Sequence, residues 1–468
     1  MAVRTGARRR VVAAAYGTMT CMELPASVRR NAERHLSDLV AIPSVSAEGR
    51  GLNEAAAAVS GLFEDLGLTT ELHQTDGAPV VYAHHPAEPG RPTILFYNHY
   101  DVQPADPLEE WHSSPFELVE RDGVWYGRGV SDDKGQLVSR LAALHWFKER
   151  HGSLPFGVTF VVEGEEEIGS PNLARYVESN AQRLAADGCV WEFGGVTASG
   201  RPLTYFGLKG IACIALRVRT ASHDLHSSLG AVVENPIYRL ASAIAGLRDG
   251  AGRVLIPGFY DDVVPFTAAQ EALIEALPDE ATELKDVYGV SGYIGGVTGT
   301  AFQRQLLGQP NINFNGFHSG YGGPGSKTVL PAAAEAKIDF RLVPDQDPDV
   351  ILRQLRAHLD AQGFTDIEIV ELETNEFAAR SDADHPFVHA TIKALREAYR
   401  LEPVVYPSVA GSGPMHPFVK HLGVPVVGMG CGHPGSRVHS PNENVKVADF
   451  ETSVVAMLRL LETYGAGL

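Results

Sequence analysis

Cysteine is scarce: Cys21, Cys189, Cys213 and Cys431 are spread over 468 residues with no C-x-x-C pair. That spacing argues against a thiolate zinc site and against a disulfide framework, and it suits a reducing cytoplasm. Basic residues are also in deficit. Lys and Arg number 39 against 57 Asp and Glu, a formal net charge of -18, which disfavours nucleic acid or an anionic membrane as a partner. No apolar run is long enough to cross a bilayer. At the N-terminus, Arg8-Arg9-Arg10 and the apolar residues after them imitate a signal peptide, but the apolar part is short and lacks a clean cleavage site. Residues 1–22 read as a disordered extension, with Met19 or Met22 as alternative starts, and a cytoplasmic location is the expectation.

What remains is a globular composition, 44% hydrophobic, in a chain too long for one core, so two or three domains are expected. Helical periodicity runs from Ser27 to just before Pro43 and again over 53–66. Strand-like apolar runs occupy 80–82, 94–97 and 158–162, with a helix at 135–150 between the last two. From Gly207 the pattern changes to a strand at 211–218, a helix at 236–247, a strand at 336–341, a helix at 347–362 and a strand at 367–372. A helix at 386–399 and a strand at 424–427 resume the first texture. The alternation predicts an α/β fold, a mixed sheet flanked by helices, with a smaller α+β layer inserted in it.

Four clusters carry the chemistry. Asn98-His99-Tyr100-Asp101 follows the run 94–97, so a histidine and a carboxylate emerge where a strand ends. Ligands collect at such ends in open α/β sheets, and a His held by an Asp is the usual build of a metal ligand with its orienting partner. Asp132-Asp133 sits in a Gly-rich turn before the helix at 135–150; capping explains one Asp there, and a second less well. Glu163-Gly164-Glu165-Glu166-Glu167 follows the run 158–162. That many like charges at the end of a buried strand are costly unless cations neutralise some of them. His439-Ser440-Pro441-Asn442-Glu443 follows the run 424–427 and its glycine-rich loop. Carboxylates with a few imidazoles are the donor set of zinc, manganese or cobalt.

Together these motifs resemble the M20 family of metallopeptidases, and within it most of all the carnosinase-like dipeptidases. His99-Tyr100-Asp101-Val102-Gln103-Pro104, Trp111, Pro115-Phe116, Tyr126-Gly127-Arg128-Gly129 and Asp132-Asp133-Lys134-Gly135 occur in the family's order. The resemblance implies a catalytic di-metal domain over 23–207 and 381–468 and an inserted dimerisation or lid domain over 208–380. It implies two divalent ions, zinc foremost with manganese or cobalt as alternatives. His99 and Glu192 would bind the first and Glu167 and His439 the second, with Asp132 bridging them, often through a cis peptide to Asp133. Asp101 would orient His99, and Glu166 would be the general base. His433 competes locally with His439, but its surroundings do not match.

In the inserted layer, Asp224-Leu225-His226-Ser227 resembles the motif whose His reaches the partner's active site in a homodimer. Arg341 and Thr328 match substrate-contacting positions, Arg341 for the terminal carboxylate, to which a guanidinium can pair bidentately. The family's loop before the last strand is replaced by Val409-Ala410-Gly411-Ser412-Gly413-Pro414-Met415, where Ser412 stands for the family serine. The reaction implied is hydrolysis of dipeptides or short peptides with a free C-terminal carboxylate. An N-acyl-amino-acid amidohydrolase and a metal-binding scaffold without turnover are the alternatives.

Overall fold

A computed structural model describes residues 22–372 and 375–468, so the extension expected at 1–22 lies almost wholly outside them. Two one-sided helices open the described chain, α1 (Ala26–Val40) and α2 (Leu52–Asp65). Their buried residues, among them Val28, Ala32, Leu36 and Leu39 on α1, recur at helical spacing. Strands β1 (Thr69–His73), β2 (Val80–His85) and β3 (Thr93–His99) follow, then helix α3 (Lys134–His151) and strands β4 (Gly157–Glu163) and β5 (Gly188–Trp191). A second sheet takes β6 (Gly210–Arg219), β7 (Asn311–Ser319), β8 (Ala333–Leu342) and β9 (Glu368–Glu371), with helices α4 (Pro236–Ala245) and α5 (Pro348–Ala361). The chain returns through α6 (Pro386–Tyr399), β10 (Val426–Gly428) and α7 (Val447–Leu460).

The first sheet is mixed, in the order β1-β2-β4-β3-β5-β10. β1 and β2 run antiparallel to their neighbours, whereas β4, β3, β5 and β10 are parallel. Its central strands are continuous apolar runs because both faces are covered. Along β3, Ile94 and Phe96 enter one core while Leu95 and Tyr97 enter the other. Phe96 stacks on Phe160 at 4.7 Å on the first side, and Tyr97 on Trp191 at 4.2 Å on the second.

Helix α3 departs from its amphipathic reading. Leu137, Leu141, Leu144 and Phe147 are buried as the periodicity requires, but so are Gln136, Ser139 and Arg140. The helix lies between the sheet and helices α1 and α7, which leaves it little outer face.

The second sheet is antiparallel throughout, β7-β8-β6-β9, and has a core of its own around Ile214, Leu216, Ile338, Phe340, Leu355 and Leu359. Strand β7 is an open edge with only Ile312 buried. Three further helices, Ala268–Glu275, Glu280–Tyr288 and Gly299–Gly308, lie where the sequence reading places none, although the first opens with a capping box between Thr267 and Gln270. Ile274 and Leu307 from them pack into one core of the first sheet. The site is positioned by the parallel strands: β3, β4 and β5 end on one edge, delivering His99, the Glu163–Glu167 segment and Glu192 together.

Candidate metal centre

His99, the last residue of β3, is fully buried, and each ring nitrogen faces a carboxylate. Nδ1 lies 3.3 Å from Asp101 Oδ1, and Nε2 lies 3.1 Å from Asp132 Oδ1. Asp132 Oδ2 is in turn 3.0 Å from His439 Nε2, which is also 3.0 Å from Glu167 Oε2. Asp132 therefore turns one oxygen to each histidine, and donor atoms of His99, Asp132 and Glu167 lie within 4.8 Å of one another.

The glutamate turn is pinned from β3. Asp101 Oδ1 accepts the backbone N–H of Glu166 at 3.2 Å and Oδ2 that of Glu167 at 3.0 Å. Gln103 Nε2 donates to Glu167 Oε2 at 2.9 Å. Glu166 Oε2 stands 3.9 Å from His99 Nε2. Glu192, one residue past β5, is buried with an Oε2 that has no hydrogen-bond partner.

Electrostatics reflect this crowding. Burial, reinforced by the charges of Asp132 and Glu167, raises the Glu166 carboxyl well above the usual range. Burial and Glu166 do the same to Glu192. Burial opposes protonation of His99, but the hydrogen bonds to Asp101 and Asp132 outweigh it and raise its pKa. Asp132 and Glu167 push His439 up to about 10. The converging carboxylate oxygens and imidazole nitrogens of His99, Asp132, Glu167 and His439, with the buried and unpartnered Oε2 of Glu192 at the same sheet edge, fit divalent cations of the zinc, manganese or cobalt kind.

Asp133 is the N-cap residue of α3, yet its side chain makes no cap hydrogen bond. Its Oδ2 accepts from Asn98 Nδ2 at 2.6 Å and from the His99 backbone N–H at 3.1 Å, and the Asp132–Asp133 peptide is cis. His433 is occupied elsewhere, with Nε2 on Asn444 Oδ1 and Nδ1 accepting from the Gly435 N–H. The remaining predicted residues form two further groups. Arg341 Nη1 donates to Ser412 Oγ at 2.9 Å, joining β8 to the 409–415 loop. His226 and Thr328 lie together on a short two-stranded antiparallel ladder between segments distant in sequence, in which His226 pairs with Val329 and the Ser227 N–H donates to Thr328 O. The ring of His226 contacts Ser228, not the carboxylates around His99.

Sequence reasoning gave no role to Gln103 or Arg140. Arg140, fully buried on α3, donates to the carbonyls of Trp191, Glu192 and Met429 and so ties the ends of β5 and β10. An Arg among the leucines of α3 was the available signal, and it reads first as a solvent-facing residue.

The model of peptidase family M20/M25/M40 matches residues 95–463. The chain is 30% identical to the Beta-Ala-His dipeptidase of Mus musculus over 291 residues, 60% of this chain and 58% of that protein, less than two thirds of its length. It is 31% identical to the Cys-Gly metallodipeptidase of Schizosaccharomyces pombe over 346 residues, 69% of this chain and 71% of that protein. A solved M20 family metallo-carboxypeptidase from Sulfolobus solfataricus matches with a TM-score of 0.87 at 38% identity, covering 93% of this chain and 99% of that one.

Proposed function

The chain belongs to peptidase family M20/M25/M40, and from that premise we propose a di-metal hydrolase of dipeptides or short peptides with a free C-terminal carboxylate. One observation carries the reading: Asp132 faces His99 with one oxygen and His439 with the other, beside Glu166. His99, Asp132 and Glu192 would hold one divalent ion, and Asp132, Glu167 and His439 the other, with zinc the first candidate. When bound, the ions supply Lewis acidity to the scissile carbonyl and lower the pKa of water towards about 7.

Glu166 takes a proton from the attacking water as its oxygen bonds to the carbonyl carbon. It returns that proton to the amine as the C–N bond breaks. Asp101 holds His99 in one orientation and fixes the backbone of Glu166. Arg341 and Ser412 form a paired donor set for the substrate's terminal carboxylate, and Thr328, beside His226, would be a further substrate contact as its motif implies.

Residues 23–207 and 381–468 form the catalytic domain in this reading, and 208–380 the inserted dimerisation or lid domain. His226 is exposed in one chain, so it serves as oxyanion donor to the site of a second copy. The open edge of β7 in the same layer suits pairing between copies. No described helix is long and apolar enough to cross a membrane, and the cytoplasm is the proposed location.

The test is amino-acid release by the metal-loaded protein from dipeptides, their C-terminal amides and N-acetyl amino acids. Dipeptides should be cleaved and their amides spared, and Arg341→Met should lose most of that distinction. Faster release from N-acetyl amino acids would redirect the reading to an amidohydrolase. No release with two ions bound would overturn it.

A further inference from the structure

Glu443 ends the cluster that begins at His439, and by type it is a further candidate ligand. Its geometry assigns it other work. The side chain is fully buried and both oxygens are taken by donors from the segment that leads into Asp132. Oε2 accepts from Arg128 Nη1 at 2.8 Å and from the Gly129 N–H at 3.0 Å. Oε1 accepts from the Ser131 N–H at 2.9 Å and the Asp132 N–H at 3.0 Å. The backbone of Glu443 also accepts the Gly127 N–H at 3.1 Å.

These bonds close a ring. Asp132 meets His439 through its side chain at 3.0 Å and meets Glu443 through its backbone, while His439 and Glu443 share one turn. That turn has His439 and Asn442 at positive φ, so its backbone conformation is a costly one that needs outside support. Asn442 gives it some, accepting the His112 N–H and donating to Glu110 O. Arg128 brings in the β3 loop: Nη2 donates to Pro104 O at 3.0 Å, and the guanidinium lies over Trp111 at 5.4 Å. One buried ion pair thus joins the loop after His99, the loop before Asp132 and the turn carrying His439.

A buried salt bridge alone is weak evidence of a role, because desolvation offsets its attraction. The distinguishing point is where the other donors come from. Three of the four are backbone N–H groups of Gly129, Ser131 and Asp132, and a carboxylate that only neutralised Arg128 has no need of them.

Resting on the di-metal reading, we propose that Glu443 is a positioning residue that sets His439 and Asp132 at their mutual distance. It thereby controls affinity for the ion on the His439 side. Glutamine is the informative replacement. Its amide nitrogen cannot accept, so one of the two donor pairs loses its partner inside the protein.

The experiment is a chelator-buffered zinc titration of wild type, Glu443→Gln and His439→Ala, with metal content counted per chain. In parallel, hydrogen–deuterium exchange is followed in the metal-free proteins over residues 127–133. Glu443→Gln should keep the His99-side ion and bind the other roughly 10- to 100-fold more weakly, the usual scale for partners behind a ligand. Exchange over 127–133 should speed up in Glu443→Gln but not in His439→Ala, which removes a ligand and leaves the brace.

A Glu443→Gln protein that is less heat-stable but binds both ions with wild-type affinity would make Glu443 merely structural and overturn the proposal. Should Glu443→Gln not fold, Glu443→Asp keeps the charge but is one methylene too short to reach both donor pairs. Wild-type affinity for both ions in that variant overturns the proposal equally. Wild-type protein that bound no ion would sink the di-metal reading itself, which separates the two failures.

Discussion

Asp101 and Glu167 are joined by a hydrogen bond from the Glu167 backbone N–H to Asp101 Oδ2 at 3.0 Å. Through the same carboxylate, Asp101 also holds the Glu166 N–H and faces His99 Nδ1. One side chain at the end of β3 thus sets the tilt of an imidazole and the height of the two glutamates after β4. Strand adjacency alone brings these groups near one another; Asp101 fixes their relative orientation.

Asp101→Asn tests that role. The amide has one accepting oxygen and no charge, so at least one of the two glutamate N–H groups loses its partner. The fold should survive, while metal affinity and turnover each fall by roughly 10- to 100-fold. Isothermal titration with zinc or manganese gives the affinity, and unchanged binding would leave Asp101 with no orienting part.

Glu166→Ala separates base from ligand. Loss of a positioned general base costs on the order of 10²- to 10⁴-fold in rate, so kcat should drop by that much. Metal content should remain at the wild-type value, since the proposed ligands are His99, Asp132, Glu167, Glu192 and His439, and Glu166 is not among them. A variant with near wild-type kcat would remove Glu166 as base. One that loses an ion would make it a ligand.

Much of this was legible in the sequence because runs such as 94–97 and 158–162 are almost wholly apolar, Thr159 being the one polar residue in the second. Such runs mark strands covered on both faces, and their parallel pairing then places His99 and the glutamates on one edge. His439 and Asp132 could be paired only through family resemblance, since 307 residues separate them and neither lies on a strand. Glu443 was visible as a residue but not as a brace, because its partners are backbone N–H groups, which leave no mark in a sequence. The three helices from Ala268 to Gly308 were missed for a related reason. They are short, eight to ten residues, and short helices draw most of their stability from tertiary packing, so that the Thr267-Gln270 capping box was the one local mark of the first.

His226→Ala tests sharing between subunits. His226 is exposed and its ring hydrogen-bonds to Ser228 in its own turn, so the variant should fold and bind metal as wild type does. Turnover should fall about 10²- to 10³-fold, the scale for one oxyanion donor. Mixing it with Glu166→Ala should restore activity well above either parent, because a mixed dimer has one site with both groups intact. Mixtures no more active than the parents would argue that each chain works alone.

Glu163 gives a pH signature that the other variants do not. Its side chain is buried at the end of β4, where Oε1 accepts the Tyr97 hydroxyl at 2.7 Å and the Ser170 hydroxyl at 2.8 Å. Burial, aided by the charge of Asp101, pushes its pKa up to about 8 against the two hydroxyls, from an ordinary 4.5. Between those values the folded chain holds a proton that the unfolded chain releases. Its contribution to stability is therefore complete below pH 4.5 and is lost as pH rises through about 8. Glu163→Gln carries no charge at any pH and keeps a carbonyl oxygen for both hydroxyls. Urea unfolding of chelator-treated protein should then show the variant gaining on wild type from pH 5 upward and levelling above about pH 8. A stability difference that stays flat across this range would mean that Glu163 is already ionised in the folded chain at neutral pH. It would then need a positive partner, and His99 at the end of β3, whose charge already opposes the upward shift, would be the group to examine.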